Sequence, residues 1–128
     1  MFGQTQISGN VTSITSANSF QIIDDQKKVF SIFLNETAVY NDDNLNKSAK
    51  DYLIKKIVGK NVIVTISSKK DSKIYGSVLY NCKQLPNIKY EQNDIPCSEG
   101  NVLDIEMIQL GFVKYIGQNE YLKSIVPN

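Results

Sequence analysis

The chain has 128 residues, fourteen lysines, no arginine or histidine, and a formal net charge of +1. The length suits one domain with its own core, and near-neutrality exerts no global pull toward nucleic acid or membrane. Without histidine a Ser-His-Asp or Cys-His device is excluded, and without arginine so is any phosphoryl-transfer site that relies on an arginine fork.

In chain order the first third alternates as strands do. Ile7, Gly9 and Val11 share one face, Phe20 and Ile22 follow a polar turn at Ser16 to Ser19, and Phe30, Ile32 and Leu34 follow a second turn at Asp24 to Lys27. This predicts a meander of three antiparallel strands. Asn41 to Asn46 reads as a polar loop. Leu45, Ala49, Tyr52, Leu53 and Ile57 then form a helical stripe, closed by Gly59 just past the helix end and with Lys55-Lys56 suited to its dipole.

Val62, Val64 and Ile66 predict a fourth strand, Lys69 to Ser72 a turn, and Ile74, Val78 and Tyr80 a fifth strand. Cys82 to Gly100 is a polar loop longer than a tight connection needs. Asp104 is placed as the cap of a short helix with Ile105, Met107 and Ile108 turned inward and Gly111 at its end. Phe112, Val113, Tyr115 and Ile116 make a last apolar run, and Tyr121, Leu122, Ile125 and Val126 suggest a final helical turn. Five strands with a helix after the third, and one or two short C-terminal helices, predict an α+β five-stranded Greek-key barrel, the OB-fold. The expected core is Val11, Phe20, Ile22, Phe30, Ile32, Val62, Val64 and Val78, covered by the helix bearing Tyr52 and Leu53.

Pieces of this pattern, in order over residues 7–116, resemble the staphylococcal nuclease (thermonuclease) family. Gly9 to Ile14 is similar to the family's opening strand, and Ser16-Ala17-Asn18-Ser19-Phe20 falls at its Asp-Gly-Asp-Thr turn. Phe30 to Thr37 falls on the strand carrying Phe-Arg-Leu and ending Asp-Thr-Pro-Glu, and Tyr75-Gly76-Ser77 on Tyr-Gly-Arg. Ala49 to Ile66 resembles the first helix and following strand, and Asp104 to Val113 the second helix. The resemblance implies one domain over residues 1–128, with 82–100 as a loop insertion.

Family members hold calcium with two aspartates and a threonine carbonyl, position water with a glutamate, and stabilise phosphate with two arginines. Here those positions carry Asn18, Glu36 and Thr37, with Ala38 and Val39 following and Ser31 and Ser77 replacing the arginines. A hard divalent cation wants several anionic oxygens. Losing even one preorganised charge stabiliser costs about 10²- to 10³-fold in rate. The expectation is therefore a non-enzymatic, catalytically degenerate nuclease-like domain with no cofactor and no bound metal, serving as a protein-binding or assembly module. Two alternatives stand beside it: a single-stranded nucleic-acid binder and a residual metal-dependent nuclease.

The nucleic-acid alternative rests on Lys55, Lys56, Lys60, Lys69, Lys70 and Lys73, with Tyr52 and Tyr75 close by, as a phosphate-tracking groove. The competing reading is a solvated face balanced by Asp51 and Asp71. Asp24-Asp25, Asp42-Asp43 and Glu91 with Asp94 read as turn chemistry. Tyr40, Tyr80, Tyr90, Tyr115 and Tyr121 are candidates for partner anchors or core packing. Cys82 and Cys97 are the possible disulfide pair: bridged, they imply an oxidising compartment and a removed export segment, and reduced, a cytoplasmic address. The first six residues lack the charged and apolar regions of a signal peptide, and no run is long enough to span a bilayer.

Overall fold

The computed structural model describes residues 6–81 and 100–127. Strands β1 (Gln6–Ser16), β2 (Ser19–Ile23) and β3 (Val29–Leu34) form the expected antiparallel meander. Its alternation is strict where both faces differ: Phe30, Ile32 and Leu34 are buried, and Val29, Ser31 and Phe33 face outward. The turn between β2 and β3 is held by Asp24, whose Oδ1 accepts from the amides of Gln26 and Lys28, both at 2.9 Å.

After the two-residue strand β4 (Thr37–Ala38), helix α1 spans Asp43–Ile57. Asp42 caps it, accepting from the Leu45 amide at 3.0 Å, so the stretch expected as loop is mostly the helix's first turn. Ala49, Leu53 and Ile57 are buried against the barrel, Leu53 and Ile57 each contributing about 1.5–3 kcal/mol. Gly59 ends the helix with φ of 82°, a left-handed conformation that a Cβ disfavours, and its amide donates to the Val11 carbonyl at 2.9 Å. That bond ties the helix end to β1.

Strand β5 (Asn61–Lys70) pairs with β1 and turns through Asp71-Ser72 into β6 (Lys73–Tyr80). The turn is tighter than the sequence suggested, because Lys69 and Lys70 still belong to the strand and Asp71 takes φ of 58°. β6 then runs parallel to β3, with Ile32 beside Ile74 and Phe33 beside Tyr75. The ring β3-β2-β1-β5-β6 is thereby closed, and no barrel edge is left. This is a five-stranded closed barrel with three helices, an α+β fold of the OB type.

Every expected core residue is buried, and Phe30 at 6% is the most accessible of them. Tyr80 joins that core at 2% exposure, which removes it from the candidate partner anchors. The chain resumes with β7 (Asn101–Val102), α2 (Leu103–Gln109), β8 (Lys114–Tyr115), which pairs with β4, and α3 (Glu120–Ser124). Asp104 does not cap α2. Val102 precedes the helix, Asp104 lies in its first turn, and the buried face is Leu103, Asp104, Met107 and Ile108, with Ile105 only partly covered. The expected 82–97 pairing, Tyr90 and nearly all of the long loop lie outside the described residues.

Candidate functional site

The five positions singled out by the resemblance divide into three places. Asn18, in the β1–β2 turn, meets Thr37 at the start of β4. Its Nδ2 donates to the Thr37 carbonyl at 3.4 Å and to Thr37 Oγ1 at 3.3 Å, while its Oδ1 accepts from Ser16 at 2.9 Å. Thr37 Oγ1 in turn donates to the Leu34 carbonyl at 2.8 Å. Glu36 stands between them in the chain with φ of 55°, its carbonyl accepting from the Ile116 amide at 2.9 Å. Its carboxylate is directed toward the C-terminal loop, where a Cβ added at Gly117 would meet Glu36 Oε2 at 2.6 Å.

The donors at this corner do not fit a calcium site. Calcium needs a shell of oxygens, several of them anionic. The Thr37 carbonyl already accepts from an amide nitrogen, and Glu36 is the one carboxylate of the set. Among the described residues no three of His, Cys, Asp and Glu gather as metal ligands.

Ser77 lies elsewhere, on β6, and points at α2. Its hydroxyl donates to both carboxylate oxygens of Asp104, at 3.1 and 3.2 Å, and the Val78 amide donates to Asp104 Oδ1 at 3.1 Å. Burial holds the Asp104 carboxyl above the usual carboxylate range, and those hydrogen bonds oppose the shift. Ser31 sits beside Lys73 on the β3–β6 seam, four strand steps or about 13 Å from Ser77. The two serines therefore do not face one phosphate.

The lysines also divide. Lys55 and Lys56 end α1 and Lys60 precedes β5, whereas Lys69, Lys70 and Lys73 flank the β5–β6 turn, roughly 25–30 Å away along the strand. Lys56 lies over Tyr52 at 5.5 Å, and Lys60 donates to Asn81 at 3.3 Å. Asp51, expected to balance the helix-end lysines, pairs instead with Lys47 at 3.5 Å. Tyr75 stacks on Phe33, ring centroids 4.9 Å apart and planes 21° apart, on the outer face of the seam.

One cluster was not foreseen. Glu106 on α2 accepts from the hydroxyls of Tyr52 on α1 and Tyr80 on β6. Burial, then the hydrogen bond to Glu106 and its charge, push the Tyr52 hydroxyl up to about 12 and raise that of Tyr80 as well. The sole local signal was a glutamate set between the apolar Ile105 and Met107. Beside it, α1 and Phe112 border an open groove of about 540 Å³ lined by Tyr52, Ile54 and Lys55.

No protein-family model matches the chain, and no curated protein matches it significantly. The fold defines an OB-type barrel, and the positions singled out by the resemblance carry amide, hydroxyl and carboxylate groups in three separate places.

Proposed function

We propose that the chain is a non-enzymatic binding module on a nuclease-like barrel. One observation carries this reading: the groups at the charge and metal positions have their polar atoms committed inside the domain. Ser77 is bound to Asp104, Asn18 to Ser16 and Thr37, and Thr37 to Leu34. A catalytic electrophile must be aimed at the charge that develops on the substrate, and these groups are aimed at their neighbours.

The test is incubation of the purified chain with single-stranded DNA, duplex DNA and RNA in calcium, magnesium or manganese. Intact substrates are expected. Cleavage that survives rigorous purification and vanishes in Glu36→Ala overturns the proposal. A protein partner is supported by the half-exposed Ile54 on α1, which lines the open groove. A nucleic-acid partner is favoured by a specific arrangement of like charges at the far end of the barrel.

A further inference from the structure

The barrel end away from Asn18 and Glu36 holds the β2–β3 turn and the β5–β6 turn, since β2, β3 and β6 all have their other ends toward Asn18 and Glu36. These two turns bring Lys27 and Lys28 to the side of Lys69, Lys70 and Lys73, five lysines against Asp24, Asp25 and Asp71. The lysines are set against one another. Lys70 and Lys73 are direct cross-strand partners, and like charges opposite each other destabilise a strand pair. Lys28 and Lys69 gather at one ring instead: each Nζ makes an attractive cation–π contact with Phe30, at 5.2 and 5.5 Å.

Asp24, Asp25 and Asp71 offset part of that charge without pairing with a lysine of the cluster. Asp24 Oδ1 is occupied by two amides of its own turn. Among the described residues the ion pairs lie elsewhere, at Lys47–Asp51 and Lys123–Glu120. The cross-strand pair Lys70–Lys73, with Lys28 and Lys69 gathered at the Phe30 ring, concentrates positive charge at one end of a nearly neutral protein, charge that a polyanion would neutralise.

We infer that this end of the barrel binds the phosphate backbone of a single-stranded nucleic acid, an inference that rests on the module reading and names its partner. Lysine serves as a point charge for phosphate without sequence information. What selects a single strand is the stack: Tyr75 is 40% exposed, packed on Phe33, and two residues along β6 from Lys73 on the same outward face. A base is thus offered an aromatic plane about 7 Å from a lysine that takes its phosphate. Ser31, paired with Lys73, adds a hydroxyl on the same path.

The experiment measures anisotropy of a fluorescein-labelled fifteen-nucleotide oligothymidylate against the 128-residue chain over a potassium chloride series. Binding should weaken with salt, the log–log slope being about −0.7 for each phosphate engaged. Replacing Lys28, Lys69, Lys70 and Lys73 by Gln should lower affinity by about a hundredfold at low salt and flatten the slope. Replacing Lys55, Lys56 and Lys60 should leave both unchanged. Lys70→Glu is the decisive single variant: it turns a repulsive cross-strand pair into an attractive one, so Tm rises at low salt while binding falls. Tyr75→Ala should cost about tenfold in affinity with an unchanged slope.

Absence of salt-dependent binding overturns the inference. So does loss of binding in the Lys55, Lys56, Lys60 variant rather than the pole variant, or equal affinity for a duplex of the same length. Binding to phosphatidylserine vesicles without binding to the oligonucleotide overturns it in favour of a membrane surface. The bound oligonucleotide is then run on a denaturing gel after incubation with calcium. Cut strands defeat the module reading itself. Intact strands without binding defeat only the assignment of the partner.

Discussion

The Ser77 hydroxyl donates to the buried Asp104 carboxylate and, with the Val78 amide as second donor, helps fasten α2 to the barrel. A position expected to face a phosphate has become part of the packing between strand and helix. Removing the hydroxyl leaves a buried carboxylate with one donor fewer. Ser77→Ala should therefore cost about 1–3 kcal/mol by denaturant unfolding. A near-neutral result would mean that Ser77 faces outward.

Asp104 also imposes a pH dependence whose sign follows from burial. Its carboxyl binds a proton more tightly in the folded protein than at its ordinary value of 3.8. The stabilising contribution of that proton is present below 3.8 and is lost as pH rises through the higher folded value. Asp104→Asn stays neutral and keeps an oxygen acceptor. Relative to this variant, the parent should lose stability as pH is raised from about 3 to about 7. Parallel stability curves for the two proteins would refute the assignment.

The Tyr52–Glu106–Tyr80 cluster acts at the alkaline end. Both hydroxyls hold their protons above 10, so the stability they contribute is present below pH 10 and declines as pH climbs toward 12. Tyrosinate absorbance should show two late-titrating tyrosines, and Glu106→Gln should bring them part of the way back, the share that burial contributes remaining. Glu106→Ala strands the Tyr80 hydroxyl in the core and should cost about 1–3 kcal/mol. An unchanged absorbance titration in Glu106→Gln would leave burial as the whole cause.

At Gly76, β6 packs tightly against β5. A Cβ there would stand 2.3 Å from the Thr65 carbonyl oxygen, a backbone atom that cannot swing away. Gly76→Ala should destabilise by about 1–3 kcal/mol through overpacking. Equal stability in a thermal melt would show that the strands separate without penalty.

Ile32 lies at the centre of the barrel, fully buried and flanked by Phe20 and Ile74 across the two neighbouring strands. Truncation to Ala should cost about 2–5 kcal/mol, because the closed sheet limits collapse around the cavity. A cost below about 1 kcal/mol would place this side chain on the outer face.

Periodicity alone located the barrel's parts. Alternation at Phe30, Ile32 and Leu34 and at Val62 and Val64 declared the inward faces, and the stripe ending at Ile57-Val58-Gly59 declared the helix. These are local consequences of a two-residue strand period and a 3.6-residue helix turn, so a single stretch of chain contains them. The missing arginines and histidines were equally plain, and with them the chemistry the domain lacks.

Closure decided the rest. Lys60 and Lys70 are close in sequence yet lie near opposite ends of one extended strand, so the lysine set read as one cluster is two. Lys28 and Lys69 share the Phe30 ring because β6 pairs with both β3 and β5 and so brings Lys69 of β5 toward Phe30 of β3, which no local pattern announces. Ser77 with Asp104, and Tyr52 with Glu106, are joined across 27 and 54 residues by the way α2 docks on the barrel. Backbone rise and side-chain period are properties of neighbours in the chain. Which side chains share charge and hydrogen bonds is settled when the sheet closes and the helices pack against it.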